Sequence, residues 1–271
     1  MWGISRKKIR SIILTIIAPV AGFTFLYILE VFLNVEFSKQ LSSIVNFVIV
    51  ALIAFLIFPR RLGIPFGRIE TREFLRKTGF YLPGNAWKHV ILGLILAGFN
   101  LSGILFASLY TGKYVVDLTR INIPHLIFCL NPALWEELFF RGVLMIWLLK
   151  NDIPLKRAFI IQIALFGVMH FKGKSFSALV DIFSIMVIAF GFTYVAYKTR
   201  CLLAGIVFHY FYDVFVICVQ IPGGFAHASM VENIIFYISL WSMIGIGCII
   251  TQFFVRAFLY TKDRAHANIY E

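Results

Sequence analysis

The sequence predicts an all-α fold: one polytopic helical bundle over residues 1–271, with about eight helices crossing a membrane and one amphipathic cytoplasmic segment. The chain is 61% hydrophobic and 14% charged, with a mean hydropathy of +0.89, whereas soluble domains average about 45–50% apolar and 25% charged residues. Apolar runs long enough to cross roughly 30 Å of hydrocarbon recur along the chain. Several of these runs contain ionisable residues, which marks them as candidate functional sites.

The predicted crossings follow from the apolar runs, taken in order along the chain. Phe, Leu and Ile dominate these runs, and no internal repeat relates one half of the chain to the other. The first run follows a basic N-terminal cluster and is too long for a signal-peptide core, so we expect it to be a retained span. The predicted spans are 11–33, 42–59, 89–110, 123–149, 158–171, 176–197, 200–220 and 233–258.

The largest polar segment, residues 60–88, lies between the second and third spans. It mixes seven basic residues with large apolar ones such as Phe66, Phe74 and Trp87. Such a mixture is typical of an amphipathic segment on an anionic membrane surface, which makes membrane lipid an expected partner.

The formal charge of +12 raises the alternative of a nucleic-acid binder, and the distribution of the charge argues against it. With the N-terminus cytoplasmic, the predicted outer loops hold few of the 25 basic residues. This asymmetry follows the positive-inside rule for an even number of spans, so both termini are expected in the cytoplasm. The basic residues outside the cytoplasmic side are Lys39, Lys113, Arg120, Lys172 and Lys174 in outer loops, and Arg141 within a span.

Three predicted spans carry clusters of ionisable residues. The fourth contains Glu-Glu-Leu-Phe-Phe-Arg at 136–141, the fifth ends in Phe-Gly-Val-Met-His at 166–170, and the seventh contains His-Tyr-Phe-Tyr-Asp at 209–213. Charges in the hydrocarbon region are costly unless they are paired. We therefore expect these groups to meet inside the bundle. The candidate site residues are Glu136, Glu137, Arg141, His170, His209 and Asp213.

Helical spacing separates the roles of the two adjacent glutamates. Glu137 and Arg141 are four residues apart, so they share a helix face and can form an ion pair. Glu136 projects about 100° away from that face, which leaves its carboxylate free to act as a base. His209 and Asp213 are also four apart and project together. The depths of Glu136, His170 and His209 in their spans allow all three to meet near the bilayer midplane or somewhat to its cytoplasmic side.

A carboxylate and two imidazoles in one polar pocket can activate water and stabilise an oxyanion. The same residues, Glu136, His170 and His209, could also form a three-ligand zinc site with an open position. The sequence contains no His-Glu-x-x-His, Gly-x-Ser-Gly or Gly-x-Gly-Asp motif of other intramembrane proteases.

The three motifs in this order, Glu-Glu-x-x-x-Arg, Phe-x-x-x-His and His-x-x-x-Asn/Asp, resemble those of the CAAX protease and bacteriocin-processing (ABI, CPBP) family of intramembrane peptidases. This family includes the Ras-converting CAAX endopeptidases. The resemblance covers about 131–213. It implies an eight-helix endopeptidase whose active site opens to the cytosol or the inner leaflet, and whose substrate is a protein or peptide that can be prenylated. No cofactor is required in the favoured mechanism, and zinc is the alternative.

Carried over to this sequence, the resemblance makes Glu136 the base that activates water, assisted by His170. His209 and residue 213 would stabilise the oxyanion, and Glu137 and Arg141 would hold the site together. Position 213 is Asp here, where the family often has Asn. Either Asp213 is protonated and donates a hydrogen bond, or it orients and charges His209.

Two other functions are compatible with buried ionisable residues. One is an ion- or proton-coupled transporter, although such proteins usually show internal symmetry and matching broken helices. The other is a non-catalytic immunity or scaffold member of the same family. A scaffold has no physical reason to retain an unpaired Glu136 inside the membrane.

Overall fold

A computed structural model describes residues 48, 68–111, 115–170, 176–220 and 230–259. The described chain is almost entirely helical, as predicted. Three of its helices are long and apolar enough to cross a membrane, at Ala86–Ala107, Ile182–Thr199 and Ile234–Leu259. The protein is therefore an integral membrane protein.

The first two predicted spans lie outside the described residues, apart from residue 48, so the prediction of about eight crossings stays a prediction. Each of the other six predicted spans coincides with helical chain to within three residues at either end. The described helices are α1 Arg68–Lys77, α2 Ala86–Thr111, α3 Ile123–Glu136, α4 Met145–Lys150, α5 Leu155–Met169, α6 Phe176–Thr199, α7 Leu203–Cys218 and α8 Met230–Phe254.

Helices α3 and α4 are joined without a break by a π-helical stretch, Glu137–Leu144. The Asn122 side chain caps the start of α3 by accepting a hydrogen bond from the backbone N–H of His125 at 3.0 Å. Pro132 removes one backbone donor inside α3. The π-helical stretch begins five residues later, and such stretches in other proteins often occur at functional sites.

The helices approach one another closely because glycines lie at their crossings. A Cβ atom at Gly93 of α2 would lie 2.7 Å from Val207 Cβ of α7, and one at Gly103 would lie 2.6 Å from Met243 Cγ of α8. A Cβ at Gly167 of α5 would lie 2.6 Å from Met186 Cγ of α6. Small residues at crossings are how membrane helices gain packing energy without a hydrophobic driving force.

Helices α2 and α7 run side by side in the same direction, and a short ribbon joins their far ends. Its strands are β1 Val115–Val116 and β2 Val219–Gln220, which pair antiparallel. A 3₁₀ turn, Leu118–Arg120, leads from β1 to α3, and the Asp117 side chain caps it by accepting from Thr119 N.

Helix α1 is amphipathic, as predicted for 60–88, but its apolar face packs on the bundle. Phe74 is 2% exposed and belongs to the same hydrophobic cluster as Phe140 and Leu202, while Arg76 and Lys77 are exposed. The turn after α1 continues this contact, because Gly79 O accepts a hydrogen bond from Leu202 N at 2.9 Å. Gly79 has φ +76, a left-handed conformation that glycine adopts without strain.

Gly142, in the π-helical stretch, allows this turn to contact the bundle. A Cβ atom there would lie 2.9 Å from Thr78 O and 3.2 Å from Thr78 Cβ. We expect Gly142→Ala to lower the free energy of unfolding by about 1–3 kcal/mol through overpacking, read as a fall in thermal unfolding temperature in detergent.

Gly98→Ala is the matched control, because a Cβ atom at this α2 glycine would meet nothing within 4 Å. Its unfolding temperature should stay unchanged or rise. An equal fall for both variants would show that the contact between Gly142 and Thr78 is unimportant.

Candidate active site

Glu137 is the centre of a buried polar cluster. Its side chain is fully buried, and its Oε1 lies 3.1 Å from Arg141 Nη1 and 2.9 Å from His209 Nδ1. Gly205, one turn before His209 in α7, makes room for this carboxylate, since a Cβ atom there would lie 3.1 Å from Glu137 Oε2. One carboxylate therefore pairs with a cation of its own helix and binds an imidazole of α7.

Arg141 is held by aromatic rings and a carbonyl as well as by Glu137. Its guanidinium lies 4.3 Å from the centroid of the Phe166 ring and 5.3 Å from that of Phe192. Its Nη2 donates to Ala189 O of α6 at 3.4 Å. Cation–π contacts of this kind gain strength in a desolvated environment, so they help to hold a charge that is 0% exposed.

Glu136 lies beside this pair and faces two imidazoles. Its Oε2 is 3.7 Å from His170 Nε2 and 3.8 Å from His209 Nε2. This oxygen is buried and has no direct hydrogen-bond partner among the described residues. The distances exceed a direct hydrogen bond, and separations of this size are often bridged by a water molecule.

The other nitrogen of each imidazole is bound by the protein, which fixes the orientation of both rings. His170 Nδ1 donates to Phe166 O at 2.8 Å, and its ring stacks on the Phe166 ring at 4.4 Å. His209 Nδ1 donates to Glu137. With Nδ1 as the donor in each case, both Nε2 atoms face Glu136.

Asp213 extends the cluster along α7, one turn beyond His209. Its Oδ2 lies 3.7 Å from His209 Nε2. The side chains of Asp213 and His170 are 26% and 30% exposed, whereas those of Glu137 and Arg141 are fully buried. All six residues singled out from the sequence thus lie in one cluster, which is accessible on the side of Asp213 and His170.

Helix α6 contributes contacts that the sequence did not reveal. The Phe192 ring stacks on the His209 ring, with centroids 4.5 Å apart and 19° between the planes. Thr193 Oγ1 lies 2.7 Å from Ala189 O and 2.5 Å from Gln162 Oε1 of α5. Thr193 and Gln162 could have been noticed as polar residues inside apolar spans. Nothing in the sequence distinguishes Phe192 from the other 29 phenylalanines.

The zinc alternative requires three ligands arranged around one ion. Within the described ranges, no group of three His, Cys, Asp or Glu side chains has such an arrangement. The choice between a metal-free and a zinc-dependent mechanism therefore stays a prediction, and the chemical steps are derived for the side chains of the protein alone.

The fold and this cluster define an integral membrane protein with a carboxylate and two imidazoles in a buried site. Residues 118–215, which include all six site residues, match the family model described as Type II CAAX prenyl endopeptidase Rce1-like. The resemblance predicted from the motifs is confirmed over this segment, and the matched family is one of proteases. Comparison with curated proteins and with solved structures found no match.

Phe192 touches both Arg141 and His209, so its ring should contribute more than hydrophobic volume. We expect Phe192→Leu to lower the free energy of unfolding by about 0.5–2 kcal/mol more than a Phe→Leu change elsewhere in the core, because a desolvated cation–π contact is lost. Thermal unfolding in detergent measures the difference.

Phe74→Leu is the control, since Phe74 is almost equally buried and lies in α1, the amphipathic helix that packs on the bundle. Equal losses for Phe74→Leu and Phe192→Leu would contradict a role of the Phe192 ring in holding the buried charge.

Proposed function

We propose that the protein is an intramembrane endopeptidase that hydrolyses a peptide bond near the C-terminus of a lipidated, CAAX-type protein or in a membrane or leader peptide. The observation that carries this proposal is the Glu136 carboxylate, which lies within 4 Å of two oriented imidazoles in a buried site. The match of the same segment to a family of endopeptidases supports it.

Glu136 and His170 activate the attacking water in this mechanism. A water molecule between Glu136 Oε2 and His170 Nε2, which are 3.7 Å apart, can hydrogen-bond to both atoms. As the water oxygen attacks the carbonyl carbon of the substrate, Glu136 accepts a proton from it. The same proton can then pass to the leaving amine when the peptide bond breaks.

His209 stabilises the oxyanion of the tetrahedral intermediate. Its Nδ1 is bound to Glu137, so its Nε2 is directed at the space between Glu136 and Asp213. A protonated Nε2 donates to the oxyanion, and the carboxylates of Glu137 and Asp213 flank the resulting imidazolium. The 3.7 Å distance between Asp213 Oδ2 and Nε2 supports a role of Asp213 in charging His209 rather than in donating a hydrogen bond itself.

Glu137 and Arg141 position these groups without touching the reacting atoms. Glu137 fixes which nitrogen of His209 faces the substrate, and Arg141 offsets the charge of Glu137 inside the membrane. Both side chains are fully buried, which is consistent with a supporting role.

Cleavage of a panel of peptides by the purified protein in proteoliposomes tests this mechanism. Removing a general base typically costs 10²–10⁴-fold in rate, so we expect losses of that order for Glu136→Gln and His170→Ala, and a loss of about 10²-fold or more for His209→Ala. Glu73→Gln changes an exposed carboxylate on α1 and should cleave at the wild-type rate.

A strong metal chelator, added in parallel, should leave the wild-type rate unchanged. If the chelator abolishes activity and zinc restores it, a metal ion activates the water, and the proposed activation by Glu136 is wrong. Cleavage by the Glu136→Gln variant at the wild-type rate would show that Glu136 is not the general base. If no peptide is cleaved and a proton flux abolished by Glu136→Gln is found, the protein is a transporter.

A further inference from the structure

A buried polar pair lies between helices α5 and α6, next to the aromatic rings of the site. Gln162 of α5 is 0% exposed and Thr193 of α6 is 2% exposed. Thr193 Oγ1 lies 2.5 Å from Gln162 Oε1 and 2.7 Å from Ala189 O. The proposed mechanism uses neither side chain. A buried amide and a buried hydroxyl are costly unless they are hydrogen-bonded, so apolar residues would fill this position at lower cost.

A count of hydrogens shows how the pair is bonded. Two contacts this short between oxygen atoms require two hydrogens, and the Thr193 hydroxyl carries one. The second can come from the Gln162 amide, whose oxygen and nitrogen exchange places when the group makes a half-turn. Gln162 then donates to the hydroxyl, and the hydroxyl donates to Ala189 O. This orientation also gives a partner to Gln162 Nε2, which otherwise has none among the described residues.

The pair therefore forms a hydrogen-bonded link between α5 and α6, the two helices whose rings hold Arg141. Phe166 lies one turn after Gln162 in α5, and Phe192 directly precedes Thr193 in α6. The guanidinium of Arg141 contacts both rings, at 4.3 Å and 5.3 Å from their centroids. The distance between α5 and α6 thus sets the space in which the guanidinium lies.

The same two rings align the imidazoles that face Glu136. Phe166 stacks on His170 at 4.4 Å, and Phe192 stacks on His209 at 4.5 Å. The Nε2 atoms of the two imidazoles lie 3.7 Å and 3.8 Å from Glu136 Oε2. A change in the distance between α5 and α6 moves one ring relative to the other, so it changes how the two imidazoles are placed around this carboxylate.

We propose that Gln162 and Thr193 are positioning residues of the site. Their link sets the distance between α5 and α6 and, through the two rings, the placement of Arg141 and of the imidazoles. This inference rests on the proposed function. The link touches no reacting atom and lies beneath the site, so its loss should lower kcat and leave KM nearly unchanged. A misplacement of about 1 Å can cost about 10²-fold in rate.

Variants that remove one partner with little change of shape test the link by cleavage in proteoliposomes. Thr193→Val removes the hydroxyl, and Gln162→Met removes the amide. We expect each to lower kcat by about tenfold or more, with KM within about twofold of the wild-type value. Thr193→Ser keeps the hydroxyl and should restore kcat to nearly the wild-type value. Failure of this rescue, or an unchanged kcat in both single variants, would overturn the positioning role.

Thr251→Val is the matched control. Thr251 is 0% exposed, and its hydroxyl donates to Gly247 O of its own helix at 2.8 Å. The change therefore removes a buried hydroxyl in α8 without breaking a link between helices. It should leave kcat at the wild-type value. A loss of kcat equal to that of Thr193→Val would show that any buried hydroxyl matters as much, and the proposed link would be wrong.

The double variant Gln162→Met/Thr193→Val separates positioning from stability. Thr193→Val alone leaves the Gln162 amide unpaired and should lower the unfolding temperature by about 2–6 °C. Replacing both partners by apolar groups should regain most of that loss, because no polar group is left unpaired. The kcat of the double variant should nevertheless stay low, since the link is absent. Recovery of kcat together with stability would show that the pair is structural only.

Unfolding of a second double variant tests the link without catalysis. The link acts on Arg141 through the Phe166 ring, so the losses of Thr193→Val and Phe166→Leu should not add, and the unfolding temperature should differ from the sum by about 2 °C or more. Thr251→Val and Phe166→Leu should be additive. Additive losses in both combinations would overturn the link. Coupling without cleavage of any peptide would support the link and count against the endopeptidase.

Discussion

A guanidinium buried in a membrane protein needs a counter-charge and further contacts. Most side chains of the described site are placed so that they supply these contacts to Arg141. Arg141 is fully buried, with Glu137 at 3.1 Å, the Ala189 carbonyl at 3.4 Å and the Phe166 and Phe192 rings close by. These contacts come from the π-helical stretch, α5 and α6, so one guanidinium contacts three segments where they meet. Breaking a buried pair by removing one partner typically costs 3–5 kcal/mol.

The same ion pair orients the reactive groups. Glu137 is shared between Arg141 and His209, so the position of the guanidinium also sets the position of the imidazole. Phe166 contacts Arg141 and stacks on His170, and Phe192 contacts Arg141 and stacks on His209. Both imidazoles are therefore aligned by rings that pack around one cation. Preorganisation of this kind lets a site stabilise developing charge without rearranging.

The described crossings and the residues of the cluster could be read from the sequence, because apolar runs and buried charges are strong signals in a membrane chain. The i, i+4 spacing correctly paired Glu137 with Arg141. The contact of Glu137 with His209 could not be derived, since it depends on Gly205 allowing α7 to approach. The role of α6 and the packing of α1 on the bundle could not be derived either. Apolar contacts between segments leave no distinct sequence pattern in a chain with 30 phenylalanines.

In this arrangement Glu137 and Arg141 stabilise each other while Glu137 orients His209. This coupling can be measured by a double-mutant cycle with Glu137→Gln and Arg141→Met, followed by thermal unfolding in detergent and by cleavage. Each single variant should lose about 3–5 kcal/mol, and the double variant should recover part of that stability but none of the cleavage, because His209 has lost its charged acceptor. Additive losses of stability, or cleavage at the wild-type rate in the double variant, would contradict the account.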